Sequence, residues 1–420
     1  MRRLLHDRRW AAGEGRLRAA GRGCGRRRPR DGTGDLARPP LRRRARSRDH
    51  RRSDPVEVVA SAPGKVFVLG EYAVTLGAPA IVAASERRLS CRARSRAGRG
   101  RLTVTAGATR FEGDLHTDGV RGAFALDGVP PGCRFVVAAA RSSAVTLDLR
   151  SRDVDLETWS ELEAAGSRAK PGLGGSAAAV ASTVAAMFAL AGCETGAATR
   201  RQRLALGIAA HRAAQGGGSG GDVVAATYGG LSCIRGLDAS AASNPTVDSL
   251  GDLDVRTVEL PSALSIDVVA SGSSASTGPR VARFLERARS PRTSRLVEAW
   301  VDGTGAAVEG FLAACGRGDA EGALRAVALA RELLGRLGAS AGIPVWSAGL
   351  RRACGVLAGR SGLEIKPSGA GGGDCAVALV RSGLRDELRA AWLERGLEPI
   401  GSAGAAPGVS VSIEREAARV

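Results

Sequence analysis

Residues 170–180 read KPGLGGSAAAV, and the run continues as ASTVAAMFALAGCE to residue 194. Gly172, Gly174 and Gly175 leave the main chain bare where it has to approach a ligand, and Ser176 stands as the cap of an Ala-rich helix. That helix is predicted over Ser176–Ala191, with Gly192 as its stop. Its positive end points into the glycine loop, so the segment reads as an anion site, best suited to a polyphosphate. From Pro171 to Cys193 no charged residue occurs, a run of 23 that is long enough to span a bilayer. Ala, Gly and Ser dominate it and give little transfer energy, so it reads as a buried helix and no membrane partner is expected.

Two better-known phosphate motifs were tested on the same stretch. Walker A requires GxxxxGK[ST], and in the only Gly-Lys pair, Gly64-Lys65, the next residue is Val66. The dinucleotide fingerprint does match at Gly172, Gly174 and Ala177, with Glu194 further on. The residues before it, 161–170, do not read as a strand, and Pro171 interrupts the entry.

Working outward, the chain holds 61 basic residues of which only Lys65, Lys170 and Lys366 are lysines. A bias that has turned nearly every other cation into arginine spares these three, which suggests sites needing a compact ammonium. Each adjoins a Gly/Pro-rich loop: SAPGKVFVLGEYA at 61–73, KPGLGGSAA at 170–178 and KPSGAGGGDC at 366–375. In the last of these, the glycines between 369 and 374 suit a backbone laid against a ligand, with Lys366 and Ser368 as donors. A further segment, AHRAAQGGGSGGDVVAATYGG at 210–230, places Asp222 after a glycine run. Alone, Asp222 reads as a turn or helix-cap residue; in company it is a carboxylate able to take a proton from a substrate or to pair with Lys65.

Composition frames these loops. The 420 residues carry a formal charge of +19, but residues 1–54 alone hold 19 Arg and 6 acidic groups, while the other 366 hold 42 basic and 36 acidic groups. Residues 1–54 lack an apolar pattern and read as a disordered Arg-rich extension. A nucleic-acid or membrane-binding arm, a transit peptide and translated sequence upstream of the true start compete for it. The last is preferred, with a later start at Val56 or Val58. With 14 aromatics in the whole chain, the basic segment has no stacking platform for bases, and no nucleic-acid partner is expected. Eight dispersed cysteines form no CxxC pair and point to a reducing, cytoplasmic compartment.

Strands are predicted at 56–60, 65–69, 101–105, 144–149, 264–270, 375–380 and 409–413. Helices are predicted at 176–191, 200–214, 279–289, 293–315, 319–337 and 345–359. They intersperse without a βαβ beat, which favours an α+β architecture, divided here into 55–255 and 256–420.

In order and spacing, APGKVFVLGEYAV (62–74), PGLGGSAAA (171–179), AHRAAQGGGSGGDVVAATYGG (210–230), SGSSAST (271–277) and KPSGAGGGDC (366–375) resemble the GHMP kinase superfamily, over about residues 56–415. Within it the AHRxAQGxGSG-D and KPSGAGGGDC strings are most similar to the phosphomevalonate kinase branch. The resemblance implies a ribosomal protein S5 domain 2-like N-terminal domain, a ferredoxin-like C-terminal domain and a cleft between them. It implies ATP and Mg2+ as cofactors, ATP lying on Pro171, Gly172, Leu173, Gly174, Gly175, Ser176 and Ala177, with Ser176 at the metal. Lys65 and Asp222 would be catalytic. Lys65, Glu71, Tyr72, Ser219, Lys366, Ser368, Gly369, Gly371 and Gly372 would bind (R)-5-phosphomevalonate, which would receive the γ-phosphoryl group in isoprenoid synthesis. Mevalonate kinase, another small-molecule GHMP kinase and a non-catalytic ligand-binding protein are the alternatives, and the assembly would be a monomer or homodimer. Three departures stand out. Gly175 replaces the first of a Ser pair, His211 stands where mevalonate kinases have a metal-binding Glu, and Pro279-Arg280 follows SGSSAST.

Overall fold

Strand β1 (Val56–Leu69) merges two stretches that the sequence suggested were separate. Pro63 and Gly64 interrupt its β-forming pattern, and the chain accommodates them by a register shift between Pro63 and Lys65 instead of a break. The computed structural model describes residues 56–116, 126–147, 149, 151–163, 171–194, 196–236 and 253–414. The Arg-rich stretch 1–54 and Lys170 lie outside the described residues.

After β1 a 3-10 turn at Ala73–Thr75 leads into β2 (Ala80–Ala97), β3 (Arg101–Ala106) and β4 (Thr109–Asp114). Then come α1 (Arg134–Leu147), β5 (Arg152–Ser160), α2 (Gly175–Leu190), α3 (Ala197–Gln215), α4 (Gly221–Tyr228), β6 (Leu231–Arg235) and β7 (Asp254–Thr257). The remainder is β8 (Leu264–Ala270), α5 (Thr277–Arg289), α6 (Ser294–Gly316), α7 (Ala320–Ala341), α8 (Ala348–Cys354), β9 (Leu363–Pro367), β10 (Cys375–Arg381), α9 (Arg385–Glu394), β11 (Pro399–Ala403) and β12 (Ser410–Glu414).

The main path of the sheet runs β4-β3-β5-β2-β11-β8-β10-β9, and β1 and β6 also pair with β2. The two halves of this path, β4-β3-β5-β2 and β11-β8-β10-β9, meet at one residue pair, Ala403 with Ser85. Residue 255 falls inside β7, and the last described strand, β12, returns to pair with β1.

Helix α2 is Ala-rich and buried on nearly every side, packing with α1 against β1 and β2. An all-round apolar helix belongs in a core, in keeping with the reading of the uncharged run 171–193 as a buried helix. No helix among the described residues is long and apolar enough to cross a membrane. A second core joins Tyr72 and Ala73 to α5, α6 and α7 through Phe284, Trp300 and Leu337, so the turn after β1 is anchored in the C-terminal helices.

Besides the merged β1 and elements such as β2, β5 and α9 that the sequence reading did not place, two predicted elements change in kind or extent. The stretch 144–149, expected as a strand, is largely the end of α1, whose Val136, Val137, Ala140, Ala144 and Leu147 share one buried face. Helical packing against α2 overrides the local β preference of Val145 and Thr146. The helix expected over 345–359 shrinks to α8, which starts where Ser347 Oγ accepts the Leu350 N–H at 3.2 Å and ends at Gly355.

Candidate active site

The β1 bulge delivers Lys65 beside the glycine loop. Its main-chain N–H donates to Leu173 O at 2.8 Å, and its stem crosses Gly174 so closely that a Cβ there would lie 2.9 Å from Lys65 Cγ. The ammonium makes one long bond, to Gly172 O at 3.4 Å, and stands 5.5 Å from the Phe67 ring centroid. Among the described residues it has no ion-pair partner. A half-buried ammonium with unused donors beside exposed amides is an anion receptor.

Gly172 and Gly174 have φ of 68° and 73°, which only glycine adopts without strain. Gly174, not Ser176 as expected, is the N-cap of α2, and no side chain caps the helix. The Ala177 and Ala178 N–H groups bond Gly174 O at 3.0 and 3.1 Å, which leaves those of Gly175 and Ser176 without a main-chain acceptor among the described residues. No acidic residue lies in the first turn. The absence of a capping side chain thus keeps the positive helix end open for a phosphate group. Gly172→Ala would press a methyl within 2.7 Å of Asp374 Oδ2 at a left-handed position. It is expected to raise the KM for ATP by about 10-fold or more, measured by steady-state kinetics.

Ser176 instead turns its hydroxyl to His211 of α3, with Oγ and Nε2 3.0 Å apart. Asp222, in the first turn of α4, places Oδ2 3.7 Å from the same nitrogen. The imidazole is buried and stacks on Phe135 with centroids 5.3 Å apart, and its Nδ1 is buried without a partner. A proton on Nδ1 would be an orphaned donor, so hydrogen-bond accounting assigns it to Nε2, donating to Ser176 Oγ. The serine proton is then left to point at a ligand. Asp222 Oδ1 accepts the Val223 N–H at 3.0 Å, and its side chain keeps 21% exposure. Ser219 Oγ accepts the Gly221 N–H at 3.3 Å, while Arg212 holds the preceding turn through Gly218 O and Ser219 O.

The loop at 366–374 closes against the same region, but its polar groups bond mostly to the protein itself. Lys366, fully buried, pairs with buried Glu71 and donates to Pro367 O at 2.8 Å. Ser368 Oγ accepts the Phe67 N–H at 2.9 Å and donates to Phe67 O at 3.1 Å. Tyr72 donates its hydroxyl to Ala370 O at 2.6 Å, and burial pushes its phenol above the usual range. Gly372 N donates to Val345 O at 2.6 Å. Glu71, Tyr72, Lys366 and Ser368, expected around the substrate, therefore form a seam that zips β1 and its turn to the glycine loop. Gly369, Gly371 and Gly372 lie on that loop.

Asp374 was not singled out in the sequence, and it ends the run with φ of 61°. Its signal was an Asp closing a glycine run, since Asp tolerates left-handed backbone better than most side chains. Its Oδ1 accepts the Ala275 N–H at 2.9 Å. Burial raises its pKa, opposed by that bond and by the charges of Lys65 and Arg280.

No group of three or more His, Cys, Asp or Glu side chains able to hold a metal occurs among the described residues. Magnesium commonly keeps its waters and takes one or two carboxylates beside substrate phosphates. The Ser176 hydroxyl and the Asp222 carboxylate, both close to His211 Nε2, fit that pattern.

Comparison with known proteins agrees with this geometry. The GHMP kinases N terminal domain family matches residues 134–230. A phosphomevalonate kinase from Streptomyces sp. (strain CL190) is 31% identical over 373 residues, 82% of this chain and 96% of that protein. A Listeria innocua crystal structure superposes with a TM-score of 0.69 at 23% identity, covering 85% of this chain and 99% of that one. Streptococcus pneumoniae phosphomevalonate kinase, in complex with phosphomevalonate and AMPPNP, gives 0.66 at 18% identity over 85% and 99%. The chain belongs to the GHMP kinase family. It is a kinase with the two-domain α+β fold of that family, whose members use ATP as phosphoryl donor.

Proposed function

We propose that this kinase transfers the γ-phosphoryl group of ATP to the 5-phosphate of (R)-5-phosphomevalonate, giving the 5-diphosphate in the mevalonate pathway of isoprenoid biosynthesis. The observation that carries the reading is the Lys65 ammonium, which has no ion-pair partner among the described residues, at the mouth of an uncapped helix loop. Two phosphorylated ligands meeting there would place concentrated negative charge beside it. The likeness to the Streptomyces enzyme over 96% of its length supports the choice of acceptor.

In this mechanism the loop 171–177 receives the ATP phosphates through the Gly175 and Ser176 N–H groups. The Ser176 hydroxyl, fixed by His211, would hold Mg2+ together with Asp222 and the nucleotide. That ion supplies charge neutralisation between the β- and γ-phosphates when bound. Lys65 stabilises charge on the transferring group in a site partly shielded from water. The acceptor is a phosphate monoester with a second pKa of about 6, so at neutral pH it is already ionised and needs little general-base help. Asp222 then acts chiefly as a positioning charge. The seven free cysteines among the described residues favour the cytoplasm as the working compartment.

ADP release measured with mevalonate and with phosphomevalonate side by side tests the proposal. Turnover with phosphomevalonate alone is expected; turnover only with the unphosphorylated alcohol overturns the acceptor, and none with either favours a binding-only protein. Asp222→Ala is expected to lower kcat about 100-fold while the ATP dissociation constant moves less than about 3-fold. Loss of ATP binding alone would reassign Asp222 to the structure of the loop.

A further inference from the structure

Two charged side chains, Lys65 and Asp374, meet at the Gly172 peptide, and a third, Arg280, lies near enough for its charge to act on Asp374. Lys65 reaches Gly172 O from one side. Asp374 packs on Gly172 from another, close enough that a Cβ at 172 would overlap its side chain. Arg280, at the start of α5, lies against Gly372, where a Cβ would overlap the guanidinium, and donates from Nη1 to Ser276 O at 2.7 Å.

Asp374 is the most tightly held of the three. Its N–H donates to Ser273 O at 2.6 Å, its carbonyl accepts the Ser271 N–H at 2.8 Å, and Oδ1 accepts the Ala275 N–H at 2.9 Å. These bonds keep a side-chain-bearing residue in left-handed backbone, a placement that persists only when the surroundings over-determine it. The carboxylate is thereby held against the phosphate loop. Among the described residues neither Lys65 nor Arg280 has an ion-pair partner, and both charges act on Asp374 without touching it. A fixed anion near two cations that lack an ion-pair partner biases where their charged ends rest, through the local field.

We propose that Asp374 is a positioning residue for phosphoryl transfer: clamped between Gly172 and Ala275, its carboxylate orients the Lys65 ammonium towards the transferring group and keeps Arg280 on the opposite side of the phosphate loop. This rests on the kinase reading of the site but not on the identity of the acceptor. The bland role, a carboxylate that merely ties Ala275 N–H to the glycine run, would be met equally by a neutral amide.

Asp374→Asn separates the two roles, since Asn tolerates left-handed backbone and still accepts from Ala275. With three lysines in the chain, the Cε–Nζ correlation spectrum of the ligand-free protein is simple, and Lys65→Arg assigns the Lys65 signal by its loss. Asp374→Asn is expected to shift the Lys65 signal and leave that of Lys366 in place. It should lower kcat by about 10-fold or more with the KM for ATP within about 3-fold. Asp374→Gly, which removes the side chain and relaxes the backbone, should show the same loss and guards against a folding defect. An unmoved Lys65 signal overturns the proposal whatever happens to kcat, as does a kcat within about 2-fold of the parent. Because the spectrum is read without substrate, it decides this point even if phosphomevalonate proves not to be the acceptor.

Discussion

Lys65→Arg is expected to leave the protein folded and to lower kcat by about 100-fold or more, roughly 2.7 kcal/mol of transition-state stabilisation. The argument is geometric. The Lys65 stem runs across Gly174 at contact distance, its main-chain N–H ties β1 to Leu173, and the ammonium ends beside Gly172 O. A guanidinium keeps the charge but is planar, wider and directional. It cannot occupy the point position that the channel over Gly174 defines. Main-chain pairing of β1 with β2 does not involve the side chain, so the melting temperature should stay within a few degrees. Steady-state kinetics with thermal melting checks this, and near-normal turnover would remove Lys65 from the chemistry.

The second large effect concerns stability. Glu71→Leu or Lys366→Met alone is expected to cost about 3–5 kcal/mol, because each leaves a buried charge without its partner. Both side chains are almost wholly excluded from solvent, and they join segments 295 residues apart in sequence. Against a typical stability of about 5–15 kcal/mol, either single change should lower the denaturation midpoint sharply. The double variant Glu71→Leu with Lys366→Met should recover most of the loss, since apolar replacement of a buried pair is often near neutral. Denaturant melts of the four proteins measure the coupling. Turnover of the double variant then tests the substrate contact expected of Lys366. If the variant folds but cannot turn over, the ammonium meets the ligand; if it turns over, the seam is its whole role.

The sequence revealed the glycine loops well, because positive-φ positions and helix starts are local features. Gly172, Gly174, Lys65 and Asp222 were found from such signals and do converge. Pairing at long range was not legible: nothing near Lys366 names Glu71. Ser176 was misread for a related reason. Ser is a good cap by propensity, but the N-cap position falls two residues earlier, at Gly174, which has no side chain to cap with, and the hydroxyl is drawn to His211 from another helix. Residues 144–149 failed because β-branched side chains were weighed without the neighbouring Ala-rich helix that makes a helical face profitable there. Asp374 escaped since its anchoring depends on Ala275, a residue almost a hundred positions away.

The pairing of β1 with β12 has a consequence for biosynthesis. Glu57 to Ser61 is translated long before Ser410 to Glu414, the segment that covers its outer edge. Until then the nascent chain carries an open edge able to recruit a neighbouring strand. Truncation just before Ser410 should therefore yield a product prone to self-association, even though every residue of the phosphate-binding loops would still be present.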